Sequence, residues 1–324
     1  MADLTTSYVG IKLQNPIIVS SSGLVDSVEK IRKLEAAGAG AVVLKSLFEE
    51  QINHEAGRMI SENAYPEAAD YIINYSKSHS VDHYLDLIEK AKKEIHIPIF
   101  ASINCVSDID WTGFASKVQE AGADGLELNV FILPLDGDSS AAYEERYFKL
   151  VEKVRNTIQI PLVIKMSSYF TNILFMVNKL YAIGANAAVL FNRLYEPDIN
   201  LDEMKMTSAE VFSSPSDLRQ TLRWISLVSD RQNDIQLSAS TGVHDYKAIA
   251  KLLLTGATTV QVCSALYKNG VEYLTQMIND LDKWMDSKGL ESVDKMRGAM
   301  NYRNHKDPRT WERSQFMRYF SNRD

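Results

Sequence analysis

The sequence predicts a (β/α)8 barrel, and two interleaved sets of repeats predict it. In the first set a helical stretch ends in a Gly-Ala step and runs into a short apolar strand, in EAAGAGAVVL, QEAGADGLEL, YAIGANAAVL and LLTGATTVQV. The glycines are Gly38, Gly122, Gly184 and Gly256, at intervals of 84, 62 and 72 residues, each too long for one strand-helix unit and right for two. The second set supplies the strands between: NPIIV at Pro16, IPIFA at Pro98 and IPLVI at Pro161 follow a proline, and IQLSA from Ile235 lacks it. Interleaved, the sets give eight apolar strands with a helix after each.

Each element has a local reason. A glycine just past a helix end accepts the left-handed conformation that closes the helix, and the small residue after it lets the chain turn into the barrel wall. Runs such as AVVL, LVIK and AAVL have the continuous apolar character of parallel strands buried on both faces. The same units can also form a doubly wound open sheet, but eight evenly paced units close more naturally than they stay open. The chain's 324 residues exceed the usual barrel of about 250, which predicts rim insertions and a terminal addition rather than a second core. We expect one barrel over residues 1–300 and an extension over 301–324 that packs on the barrel or on a partner subunit.

Composition narrows the function classes. A net charge of −7 argues against nucleic acid or an anionic membrane surface as the main partner. The opening MADLTTSYVGIKLQNP has no basic segment followed by an apolar stretch, and no window approaches a membrane span, so a cytoplasmic protein acting on a small molecule is expected, as a homodimer. Cys105 and Cys263 end different strands in no metal-type spacing, so reduced thiols and no metal are expected. Two long polar rim segments, Leu47 to Ser80 and Leu194 to Asp217, leave from the end of the barrel where active sites form. In the tail from Tyr302, Arg and Lys outnumber Asp and Glu six to three, with Trp311, Phe316, Tyr319 and Phe320 interspersed.

Barrel chemistry collects at the last residues of the strands. In order these are Ser20, Ser21, Ser22 and Gly23; Lys45 and Ser46; Ser102 and Asn104; Asn129; Lys165; Asn192; Ser240, Thr241 and Gly242; Cys263 and Ser264. A buried ammonium is costly unless an anion or strong acceptor meets it. A single lysine here can be an internal salt bridge; two lysines with three asparagines on one rim point to an anionic or carbonyl-rich ligand. Small residues at the seventh and eighth strand ends suit a phosphate.

From about Leu4 to Met300 these residues resemble the dihydroorotate dehydrogenases. NPIIVSSSG is similar to the first strand of that family, VVLKS to the second, ELNV to the fourth, PLVIKMSSYF to the fifth and LLLTGATTVQVCSAL to the eighth unit, where a Gln-x-Gly-Thr step holds phosphate; the last helix, ending ESVDKMRGAM, is also similar. The resemblance implies FMN across the barrel mouth, with Ser21, Ser22, Lys45, Ser46, Asn104, Asn129, Lys165, Gly242 and Ser264 as its contacts. It implies hydride transfer with a small, anionic CH–CH substrate. Because a reduced flavin gains negative charge, Lys165 is expected to steady it, with Lys45 as an anion partner and Asn192 as an amide on the substrate side completing the catalytic set.

The chain departs from the family where the fourth strand runs into the loop Asn-x-x-Cys-Pro-Asn, or its Ser form. Here the loop reads Asn129-Val130-Phe131-Ile132-Leu133-Pro134, which puts Ile132 at the position of the base. Ser61 replaces an orotate-binding asparagine, and Thr241 and Cys263 stand before Gly242 and Ser264. A substitute base would come from Asp136, Asp138, Ser139, Ser140 or Tyr143, residues that otherwise read as a solvated loop and helix cap. Two other readings remain at this point: a Schiff-base lyase using Lys165 or Lys45, and a flavin-binding relative without turnover.

Overall fold

The computed structural model describes residues 2–48, 69–105, 111–135, 137–193, 196–230 and 235–312, without the side chains of 69–79 and 105. Eight parallel strands form the centre: β1 (Ile17–Val19), β2 (Ala41–Val43), β3 (Ile99–Cys105), β4 (Gly125–Val130), β5 (Leu162–Met166), β6 (Ala187–Leu190), β7 (Gln236–Ala239) and β8 (Thr259–Val262). Each strand pairs in parallel with the next, and β8 pairs back onto β1 with Val260 opposite Ile17. The sheet is closed, so the open-sheet arrangement is excluded. Gly38, Gly122, Gly184 and Gly256 all have positive φ, between 93° and 114°, at the helix ends where the repeat places them.

Helices α1 (Val28–Ala36), α2 (Ala69–Glu94), α3 (Trp111–Glu120), α4 (Ser140–Thr157), α5 (Ile173–Ala182), α6 (Leu218–Asp230) and α7 (Tyr246–Leu254) follow the first seven strands. The eighth strand leads to α8 (Ser264–Asn269) and α9 (Tyr273–Ser287). Several starts are capped by a side chain accepting a backbone N–H, as Ser27, Ser139, Asn172 and Asp245 do. α7 shows the packing logic: Ile249, Leu252 and Leu253 are buried, each contributing about 1.5–3 kcal/mol by leaving water.

Three boundaries differ from the expectation. α2 begins at Ala69, so the segment expected to stay a polar loop to Ser80 is helical over its last part. Leu194 to Asp217 contains an antiparallel hairpin, Pro197–Asn200 against Lys205–Ser208, and a 3-10 turn at Pro215–Asp217. The last helix ends at Ser287, and the ESVDKM segment holds a separate short turn, Val293–Met296.

Strand parity sorts the core into two. Leu126, Leu128, Ile164, Ala188 and Val260 face the helices, while Ile18, Ala41, Val43, Phe100, Val163, Ala187 and Val189 form a separate cluster inside the barrel. An N-terminal hairpin, Thr6–Tyr8 with Ile11–Leu13, closes the far end of that inner cluster through Tyr8 and Leu13, the Tyr8 ring lying 5.9 Å from Phe100. One step further along the strands the inward positions turn polar: Ser102, Glu127, Lys165 and Gln261, all buried. The polar layer floors the mouth.

The described part of the tail packs on the barrel it belongs to. The Tyr302 backbone N–H donates to the Ser226 carbonyl, and Arg223 donates to the Glu312 carbonyl at 2.6 Å, both on α6. Phe316, Tyr319 and Phe320 lie outside the described residues.

Candidate active site

The mouth holds a cavity of about 260 Å³ lined by strand-end residues of β1, β5, β6, β7 and β8 and by the rim segment after β6. Among them are Ser21, Lys165, Asn192, Gly242 and Ser264, five residues that the sequence also singles out. Ser46 and Asn129 do not line it but join Ser21 through hydroxyls: Ser21 Oγ lies 3.0 Å from Ser46 Oγ, and Ser46 Oγ lies 2.7 Å from Ser102 Oγ. Asn129 Nδ2 donates to both Ser46 and Ser102 at 3.2 Å. Tyr84, on α2, fixes Ser102 by donating to its carbonyl and accepting from its N–H. Four strand ends are thus tied into one polar surface beside the cavity.

Lys165 is the deepest cation of the site. Its Nζ donates to Ser20 Oγ at 3.1 Å, to Gln261 Oε1 at 3.1 Å and to Glu127 Oε1 at 3.3 Å. Lys45 is placed otherwise. The second strand ends at Val43, and the Lys45 side chain is exposed beyond it, so the expectation of two buried ammonium groups holds for Lys165 alone. The physical reason is that pairing with β3 is interrupted after Val43 and resumes only at Leu47 and Phe48, opposite Ile103 and Asn104; in the interruption the Lys45 backbone N–H is taken by the Val25 carbonyl.

Three residues of the site were missed from sequence. Glu127 and Gln261 sit inside apolar strands, short of the strand ends where barrel chemistry is expected. A carboxylate in a six-residue strand buried throughout must have a cation, and Lys165 is on the neighbouring strand. The third, Ser213, belongs to the rim segment after β6. Its N–H donates to Ser264 Oγ, its carbonyl accepts from Lys268, and its hydroxyl lies 3.0 Å from His244 Nε2. Arg193 holds the same segment by donating to the carbonyls of Glu210 and Val211. Burial and the nearby Lys268 lower the His244 imidazole below its ordinary value. Burial raises the Cys263 thiol, which keeps it protonated near neutrality.

Ile132, in the loop after β4, lines a small cavity of about 100 Å³ with Phe131, Leu133, Pro134, Tyr143 and Phe170, and with the polar residues Ser140, Glu144, Ser167 and Thr171. Ser139 caps α4, and Asp138 pairs with Arg146 at 2.6 Å, the guanidinium lying 4.3 Å from the Tyr143 ring centre. Ser139 and Asp138 thus serve the helix cap and the loop, whereas Ser140 and Tyr143 line the cavity beside Ile132. Ser61 and Asp136 lie outside the described residues.

The residues present fit a hydrogen-bonding cofactor such as FMN. The buried side-chain oxygens Asn104 Oδ1 and Asn129 Oδ1 have no donor among the described residues, which suits a ligand carrying N–H groups. Gly242 has φ +79°, and a Cβ there would lie 2.2 Å from the Leu218 backbone nitrogen, so only glycine lets the β7 turn lie against α6 at the cavity wall. Among the described residues no group of His, Cys, Asp and Glu could hold a metal, and no helix is long and apolar enough to cross a membrane.

Residues 3–285 match the family described as dihydroorotate dehydrogenase. Similar relatives include the catalytic subunit of dihydroorotate dehydrogenase B (NAD(+)) of Thermoplasma volcanium, 26% identical over 92% of this chain and 99% of the relative. Dihydroorotate dehydrogenase A (fumarate) of Lactococcus lactis subsp. cremoris is 25% identical, with the same two coverages. The NAD-dependent dihydropyrimidine dehydrogenase subunit PreA of Escherichia coli is 23% identical over 92% of this chain and 77% of that subunit.

Proposed function

The chain belongs to the dihydroorotate dehydrogenase family, and from that premise we propose that it is an FMN-dependent oxidoreductase acting on a CH–CH bond of a small, anionic molecule. The observation that carries the reading is the single cavity wall formed by Ser21, Lys165, Gly242 and Ser264, with the unmatched amide oxygens of Asn104 and Asn129 beside it. FMN, when bound, supplies a ring that accepts a hydride. Gly242 and Ser264 would hold its phosphate. Ser21, Ser22, Ser46, Asn104 and Asn129 would hold the ring and ribityl chain, and Lys165 would offset the negative charge gained on reduction.

Asn192 and Lys45 are assigned to the substrate, Asn192 through its amide and Lys45 as an exposed cation for an anionic group. A Schiff-base lyase needs a lysine amine free to attack a carbonyl. Lys165 is instead an ammonium donating to three acceptors, which favours the oxidoreductase. As the family likeness aligns the chain, Ile132 stands at the base position, and an isoleucine takes no proton. Asp138 and Ser139 are engaged in the loop, so dihydroorotate is expected to be a poor substrate. General base catalysis contributes about 10² to 10⁴ in rate. Anaerobic bleaching of the FMN-loaded protein by dihydroorotate, followed in a stopped-flow instrument, should be slower by that order than in a relative with the Cys or Ser base. A comparable rate would contradict the assignment.

A further inference from the structure

Glu127 lies beneath the cavity wall without forming part of it. Ser20, Lys165 and Gln261 line the cavity, and Glu127 does not. Glu127 is 1% exposed and Lys165 6%. The two carboxylate oxygens of Glu127 have separate partners: Oε1 accepts from Lys165 at 3.3 Å, and Oε2 accepts from Gln261 Nε2 at 2.6 Å. Gln261 Oε1 in turn accepts from Lys165 and from Ser20 Oγ, each at 3.1 Å. The three N–H groups of the ammonium are all matched, and the ring of four residues draws on β4, β5, β8 and the end of β1.

A buried ion pair of this kind is weak evidence for stability, since well-packed apolar residues of similar volume often serve a core as well or better. What the pair provides here is a positive charge fixed at the wall of a cavity. An ammonium in that wall with no carboxylate would shed its proton rather than remain an unpaired buried charge.

We propose that Glu127, oriented by Gln261, is a positioning residue whose counter-charge keeps Lys165 an ammonium in the cofactor wall, and so raises the midpoint potential of the bound flavin. The inference rests on the flavin reading above. Glu127 touches neither cofactor nor substrate; it acts through Lys165.

The test is the midpoint potential of the FMN-loaded protein, measured by reductive titration against dyes, for wild type, Glu127→Gln, Glu127→Asp, Lys165→Met and the Glu127→Gln/Lys165→Met pair. Glu127→Gln is expected to lower the potential toward that of Lys165→Met, and the double variant to match Lys165→Met alone. Glu127→Asp draws the carboxylate back by one methylene and should give a smaller fall. A rise in Glu127→Gln, the sign expected if the carboxylate acted on the flavin only through space, would overturn the proposal. So would an unchanged potential, or additive shifts in the double variant. If Glu127→Gln fails to fold, as judged by circular dichroism, an unchanged potential in Glu127→Asp overturns it instead. Failure of the wild type to take up FMN is seen before any variant is made; it would remove the flavin reading and this inference with it.

Discussion

Lys165 and Glu127 are a buried pair, and removing one partner leaves the other without a counter-charge. Breaking such a pair costs about 3–5 kcal/mol. Lys165→Met in the cofactor-free protein should therefore lower the thermal unfolding midpoint markedly, and the Glu127→Gln/Lys165→Met pair should recover much of the loss. Equal midpoints for the single variant and wild type would show that the carboxylate finds another partner. At this scale the sequence was partly legible. Lys165 stands out because a charged residue closes an apolar run, and Ser21, Ser46 and Asn129 follow from strand ends. Glu127 was hidden because strand-end reasoning looks at the rim, whereas period-two alternation carries Glu127 and Gln261 inward one layer below it. The burial expected of Lys45 fails for a related reason: the regular strand ends at Val43, one residue before the apolar run does, and the Lys45 side chain is exposed.

Two elements form the side of the mouth at which we place the phosphate, the turn after β7 and the rim segment ending in α6. Gly242 has φ +79°, and its neighbour there is backbone rather than a movable side chain. Gly242→Ala should cost more than about 1 kcal/mol, because alanine is strained at that φ and its Cβ meets the α6 start. It should also weaken FMN uptake; a variant with wild-type stability and uptake would refute the close packing. The rim segment is clamped through Ser213 by His244, Ser264 and Lys268. The His244 imidazole is lowered from 6.5 by burial first and by Lys268 second. A histidine so lowered binds its proton more readily in the unfolded chain. Its stabilising effect is thus full above the ordinary value and is lost as pH falls through that value toward the lowered one. Between about pH 8 and about pH 5 the unfolding temperature should fall less in His244→Gln than in wild type. An identical fall would show that His244 is not the titrating clamp. Of this clamp only Ser264 is legible in sequence, as a strand-end residue, since Ser213, His244 and Lys268 are brought together by barrel closure alone.

At the scale of the molecule, the repeat of Gly-Ala corners and apolar strands sufficed for the barrel, because each corner glycine is needed for its positive φ and each strand is too apolar to lie anywhere but inside. What sequence could not place was the layering along the barrel axis: an apolar plug at Tyr8, Leu13 and Phe100, a polar layer at Glu127, Lys165 and Gln261, then the open mouth. That order puts one buried ammonium and two unmatched amide oxygens beside a cavity with a phosphate-suited turn, and it underlies the central claim that the barrel binds FMN. Mass spectrometry of the ligand released by heat from the purified protein tests it most directly. The expected result is FMN, with neither FAD nor a nicotinamide dinucleotide in its place. Absence of FMN, even after incubation with an excess of it, would contradict the claim.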